Sequence, residues 1–251
     1  MNATESEKEL PFLDHLEELR WRLIKSIVAI VVASIVIYFF SELVLKILVN
    51  PYTDAMAFLN KPESQKLIFL TPTGGFMIRL KLSVFSGLMI ALPVVFYQFW
   101  QFVVPGLLSK ERKYVPIVVF FSTFCFLMGA LFCYFVVLRY GLPFLLGFET
   151  AEMIATISVN EYLQFVTMLI MVFGLIFELP VLSFFLTKIG LVTPPFLRHY
   201  RRHGIVVMVI LSAVITPPDI MTQLLLAVPL VLLYEISILV SHLALKKSKS
   251  S

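Results

Sequence analysis

The sequence predicts an all-α integral membrane protein of about six kinked transmembrane helices, and three observations carry that reading. Hydrophobic residues make up 59% of the 251 residues and the mean hydropathy is +0.94, above what a soluble domain sustains in core and surface together. Long uncharged tracts recur between charged residues, each about long enough to cross a bilayer. The basic residues fall unevenly on the two sides that those tracts define, as membrane topology signals do.

In chain order, residues 1–23 read as an amphipathic start: Phe12, Leu13, Leu16, Leu19 and Leu23 recur at three- and four-residue steps and give one apolar stripe on a helix. This stripe runs on into a first span near 24–48, and the remaining spans fall near 76–98, 114–138, 161–187, 204–216 and 220–243. One membrane domain over 1–251 accounts for the chain, with no room for a separate soluble domain. The acidic N-terminus around Glu5, Glu7 and Glu9 lacks the basic start and cleavage site of a secretory signal. The first apolar run is therefore expected to remain as an anchor.

Prolines at Pro93, Pro105, Pro116, Pro143, Pro180 and Pro229 lie within the apolar tracts. Each removes an amide donor and bends a helix, so kinked helices are expected. The fifth and sixth spans are short: about 15 uncharged residues reach roughly 22 Å against a hydrocarbon core of about 30 Å. Either the bilayer thins there, with the Thr216–Asp219 turn below the outer surface, or flanking residues extend the helices.

Orientation follows from counting bases. One side collects Lys8, Arg20, Arg22, Lys25, Lys110, Arg112, Lys113, Lys188, Arg198, Arg201, Arg202, Lys246, Lys247 and Lys249; the other holds Lys46, Lys61, Lys66, Arg79, Lys81 and Arg139. About fourteen against about six places both termini in the cytoplasm, with Val49–Gly75 and Arg139–Asn160 outside. The net charge of +4 is thus a topology signal and not a nucleic-acid footprint.

Three places stand out as candidates for function. Glu178 sits in an otherwise uncharged span, where a carboxylate costs several kcal/mol unless it faces a protein interior, a wet cavity or a polar partner, or is protonated. Glu235 lies nearer the cytoplasmic end of the last span, where snorkelling suffices. On the N-terminal helix Asp14, Glu18 and Arg22 are four residues apart, which by spacing alone describes a solvated face with a Glu18–Arg22 pair. The stretch Tyr97–Arg112 reads as an aromatic cytoplasmic loop, for which anchoring at the headgroups is the plain explanation.

No hydrolase elbow, zincin or phosphate-binding loop motif is present, and four histidines without a cluster do not suggest a metal. No enzyme and no cofactor is expected. Cys125 and Cys133 have neither metal nor redox spacing and read as buried apolar residues. On the residues alone, a secondary transporter using Glu178 and Glu235 as ion sites is a rival, although it lacks the internal repeats of such folds.

Four ordered segments carry a further reading: FLDHLEELRWRL, YQFWQFVVPGLLSKER, FGLIFELPV and ITPPDIMTQLLLAVPL. In sequence and spacing they resemble TatC, the multispanning core of the twin-arginine protein translocase, over nearly the whole chain. The resemblance implies a bacterial cytoplasmic-membrane receptor for twin-arginine signal peptides of folded precursors. It implies assembly with TatA-type and TatB-type single-span partners into a multimeric complex driven by the proton-motive force. It further implies that Glu18, Arg20, Phe102 and Glu111 form the signal-binding surface, with Trp100 beside it for the apolar part of the signal. Glu178 would be the intramembrane polar contact to a partner helix, and Pro217 and Asp219 would lie in a partner-docking turn.

Overall fold

The computed structural model describes residues 3–60, 66–103, 115–147, 156–215 and 220–248. Among the described residues the chain is helical, and its only extended pairing is a single bridge. Contacts divide it into two units of interleaved segments, Met1–Glu42 with Arg79–Thr123, and Leu43–Ile78 with Phe124–Ser251.

The first unit is built on α1 (Ala3–Tyr38), most of α3 (Gly74–Val103) and the start of α4 (Val115–Phe132). α1 is continuous through the amphipathic start into the apolar run. It stops at Tyr38, where Phe40 N donates to Ile37 O at 2.8 Å, so the tract expected near 24–48 is divided between two helices. α1 and α3 meet at Gly87, where an added Cβ would lie 2.7 Å from the Ser34 backbone. Ser34 returns its own hydroxyl to Ile30 O at 2.7 Å and leaves no unpaired donor in the contact. α3 continues to Val103, so residues 97–103, expected in a loop, are helical. Trp100 is buried in this unit and donates from Nε1 to Ser122 Oγ of α4 at 3.2 Å.

The second unit begins with α2 (Ser41–Phe58), which carries Pro51 in its interior. Proline lacks an N–H, so the carbonyl four residues earlier, Ile47 O, loses its helical donor. Tyr134 OH supplies one at 2.7 Å, and Tyr162 OH donates to the neighbouring Leu48 O at 2.9 Å. Asn60, with φ of 51°, follows α2 in the left-handed conformation that asparagine tolerates. Further on, Ile68 bridges to the start of α6: Ile68 N donates to Ile157 O at 3.1 Å and Val159 N to Ile68 O at 3.0 Å.

α4 passes through a π-helical turn (Cys133–Leu138) into α5 (Arg139–Leu146). α6 (Val159–Ile176) is capped by Ser158, whose side chain accepts from Asn160 N, and is followed by α7 (Leu179–Lys188). The break at Phe177–Glu178 has its cause in Pro180, which cannot donate back to Ile176. α4 and α6 approach through two glycines: a Cβ on Gly174 would sit 2.5 Å from the Phe126 ring, and one on Gly129 2.6 Å from Phe173 O.

α7 ends at Gly190, whose φ of +75° closes a left-handed cap in which Leu191 N reaches back to Leu186 O at 3.0 Å. Thr193 then caps α8 (Pro194–His199), which leads to α9 (Arg201–Ile215) and, beyond, α10 (Ile220–Ser248). α7 and α10 are joined by hydroxyls: Ser183 donates to Ser237 O at 2.8 Å, and Thr187 and Ser241 share a hydrogen bond of 2.6 Å.

Among the described residues, five helices are long and apolar enough to cross a membrane: His15–Tyr38, Gly74–Val103, Val115–Leu146, Val159–Lys188 and Gln223–Leu245. α9, on the fifth expected span, has 15 residues. At 1.5 Å per residue it reaches about 22 Å, short of a hydrocarbon core of about 30 Å.

Candidate functional site

The first unit brings together a small polar and aromatic cluster on α1 and the last turn of α3. Glu18 lies on the same face as Arg22, one turn on, and its Oε1 accepts from Arg22 Nε at 2.8 Å and from a second guanidinium nitrogen. The pair expected from spacing is therefore formed. One turn earlier, His15 directs Nδ1 toward Glu18 Oε2 at 3.9 Å. Its ring stacks on Phe102, with centroids 4.4 Å apart and planes 11° from parallel. Glu18 and Phe102 are thus linked through a residue to which the sequence reading gave no role.

Arg20 is exposed on α1, turned away from the Glu18–Arg22 face by the helical step between positions 18, 20 and 22. Trp100 does not join the surface. Two residues before Phe102, it points inward, is 2% exposed and ties α3 to α4 through Ser122. Glu111 lies outside the described residues, as do Pro217 and Asp219.

In the second unit Glu178 is 5% exposed, at the junction of α6 and α7. Its main chain stitches the break: its N–H reaches Leu175 O at 3.1 Å and its carbonyl accepts from Leu182 N at 2.8 Å. Phe177 beside it packs against Phe132 with ring centroids 5.6 Å apart. Within the chain the residue is enclosed at this junction. Glu235 has a different setting: Arg201 Nε lies 2.5 Å from its Oε1, joining α9 to α10. Nearby Tyr234 donates to Leu197 O at 3.0 Å, and a Cβ on Gly204 would meet the Tyr234 ring at 2.6 Å. Arg201, read from the sequence as a topology signal without chemistry, is thus the partner of Glu235.

His15 carried a usable signal, since it precedes Glu18 by three residues and shares its helix face. Its contact with Phe102 spans distant parts of the chain and had none. The same holds for Arg201 and Glu235.

Long apolar helices, with polar side chains gathered at helix ends and one carboxylate enclosed at a helix break, define a polytopic helical membrane protein. A family model described as "Sec-independent protein translocase protein (TatC)" matches residues 14–229. Among relatives, the chain is 42% identical to the "Sec-independent protein translocase protein TatC" of Desulforapulum autotrophicum, over 97% of this chain and 88% of that one. It is also 42% identical to the protein of that name from Aquifex aeolicus, over 96% of this chain and 98% of the other. A solved structure described as "Crystal Structure of Twin Arginine Translocase Receptor- TatC" superposes with a TM-score of 0.77 at 41% identity, covering 92% of this chain and 99% of that one. The chain belongs to the TatC family.

Proposed function

We propose that this chain is the receptor and core component of a twin-arginine translocase. It takes signal peptides with adjacent arginines from folded precursors at the cytoplasmic face of a bacterial cytoplasmic membrane. It works in a multimeric complex with TatA-type and TatB-type single-span proteins, and the proton-motive force drives export. Six spans with both termini in the cytoplasm suit the distribution of basic residues, with α9 as the fifth and shortest.

The observation that carries the reading is the Glu18 carboxylate one helical turn from His15, whose ring stacks on Phe102. A guanidinium pair requires carboxylates that accept charge-assisted hydrogen bonds, often bidentate, and the apolar run that follows such a pair requires an aromatic surface close by. Glu18 is already an acceptor for one guanidinium, that of Arg22, so its geometry suits the ligand. Glu111 supplies the second carboxylate in this proposal, and Arg20 a neighbouring charge that orients the site. Glu178 offers its carboxylate to a polar residue of a partner helix, a contact worth about 1–2 kcal/mol in a bilayer. Pro217 and Asp219 shape the turn where that helix docks.

The test is direct binding of the purified chain to a signal peptide carrying Arg-Arg, compared with the same peptide carrying Lys-Lys. A preference for Arg-Arg that disappears in a Glu18→Gln/Glu111→Gln double variant is expected. Equal binding of both peptides by the folded chain would overturn the assignment.

A further inference from the structure

We propose that His15 is a positioning residue of the signal-binding surface, fixing the Phe102 ring of α3 one helical turn from the Glu18 carboxylate of α1; the inference rests on the receptor reading above. Near-parallel rings with centroids 4.4 Å apart are in full stacking contact, so the imidazole restrains rotation of Phe102 on the last turn of α3. The same ring presents Nδ1 to Glu18 Oε2 at 3.9 Å, while Arg22 holds Oε1 from the other side. The carboxylate is thereby flanked along its helix, and the aromatic face is set at a constant offset from it.

That offset matters for a ligand with two chemically different parts. A peptide with adjacent guanidinium groups followed by an apolar run must satisfy a carboxylate and an aromatic surface at once. If the two could move independently, binding one part would not place the other, and the ordering cost would fall on the complex. His15 removes that cost beforehand. Its contribution is the face contact with Phe102, which makes it a positioning residue.

A double-mutant cycle on the full purified chain tests this, with a fluorescent Arg-Arg peptide titrated against His15→Ala, Phe102→Ala, the double variant and His15→Phe. His15→Ala should weaken binding about two- to tenfold, the range expected for one aromatic pair. Phe102→Ala should weaken it at least as much, because it also removes the aromatic surface, the double variant should lose no more than Phe102→Ala alone, and His15→Phe should restore affinity because it keeps the stack. Additive losses in the double variant would overturn the proposal. So would unchanged affinity in His15→Ala in a chain that prefers Arg-Arg over Lys-Lys and loses that preference in Glu18→Gln. Absence of any Arg-Arg preference in the unmodified chain overturns the receptor reading and this inference with it.

Discussion

In the proposed receptor role, Glu18 would meet its ligand already engaged, because Arg22 of the same helix holds the oxygen that an incoming guanidinium would seek. An i,i+4 pair at a partly exposed site contributes only about 0.3–0.5 kcal/mol, so displacement is easy but not free. Arg22→Gln should therefore strengthen Arg-Arg peptide binding by about twofold in an equilibrium titration at low salt. Weaker binding would mean that Arg22 holds the carboxylate in its receptive pose. Glu178 poses the opposite problem, being enclosed and costly to move. Glu178→Ala should abolish crosslinking of a photoreactive partner helix and leave peptide binding intact; retained crosslinking would assign the carboxylate to the α6–α7 junction alone. Charge scarcity made Glu178 legible in the sequence, whereas the stack of His15 on Phe102 was hidden because the two come from different helices.

At the scale of elements, α2 shows how a proline inside a helix is accommodated. Pro51 deprives Ile47 O of a donor, and Tyr134 replaces it from the π-helical turn. The bond lies at an exposed site, so Tyr134→Phe should destabilise the chain by about 0.5–1.5 kcal/mol in detergent unfolding, the net worth of one hydrogen bond. Pro51→Ala restores a helical N–H, and in that background Tyr134→Phe should cost distinctly less. Equal costs in both backgrounds would show that the phenol matters for packing and not for the carbonyl. Uncharged run length disclosed most of these helices, because the bilayer imposes a minimum span. It did not disclose the turn at Phe39–Phe40, which has no glycine or proline to mark it, nor the extension of α3 through Tyr97–Val103. The helical aromatic stretch is decided by Trp100 reaching Ser122, a contact that no local pattern records.

For the whole molecule, membrane placement is a matter of which ends face which compartment. Single cysteines at Asn50 and at Ser248, in a background where Cys125 and Cys133 are replaced by serine, make the comparison. An impermeant reagent added from outside should label Asn50→Cys and spare Ser248→Cys. Labelling of position 248 from outside would reverse the orientation. The interleaving of the two units also dictates an order of events during synthesis. All of the first unit has been made once Thr123 is joined, whereas residues 43–78 of the second are by then in place without the rest of their unit. The phenols that cover Ile47 O and Leu48 O arrive 87 and 114 residues after those carbonyls. In a nascent chain halted at Thr123, a cysteine in place of Tyr52 should therefore react readily. In the finished chain of the same serine background, where that position is 4% exposed, it should be protected. α2 spends much of the chain's elongation waiting for the residues that cover its carbonyls, and its burial is among the last events of assembly.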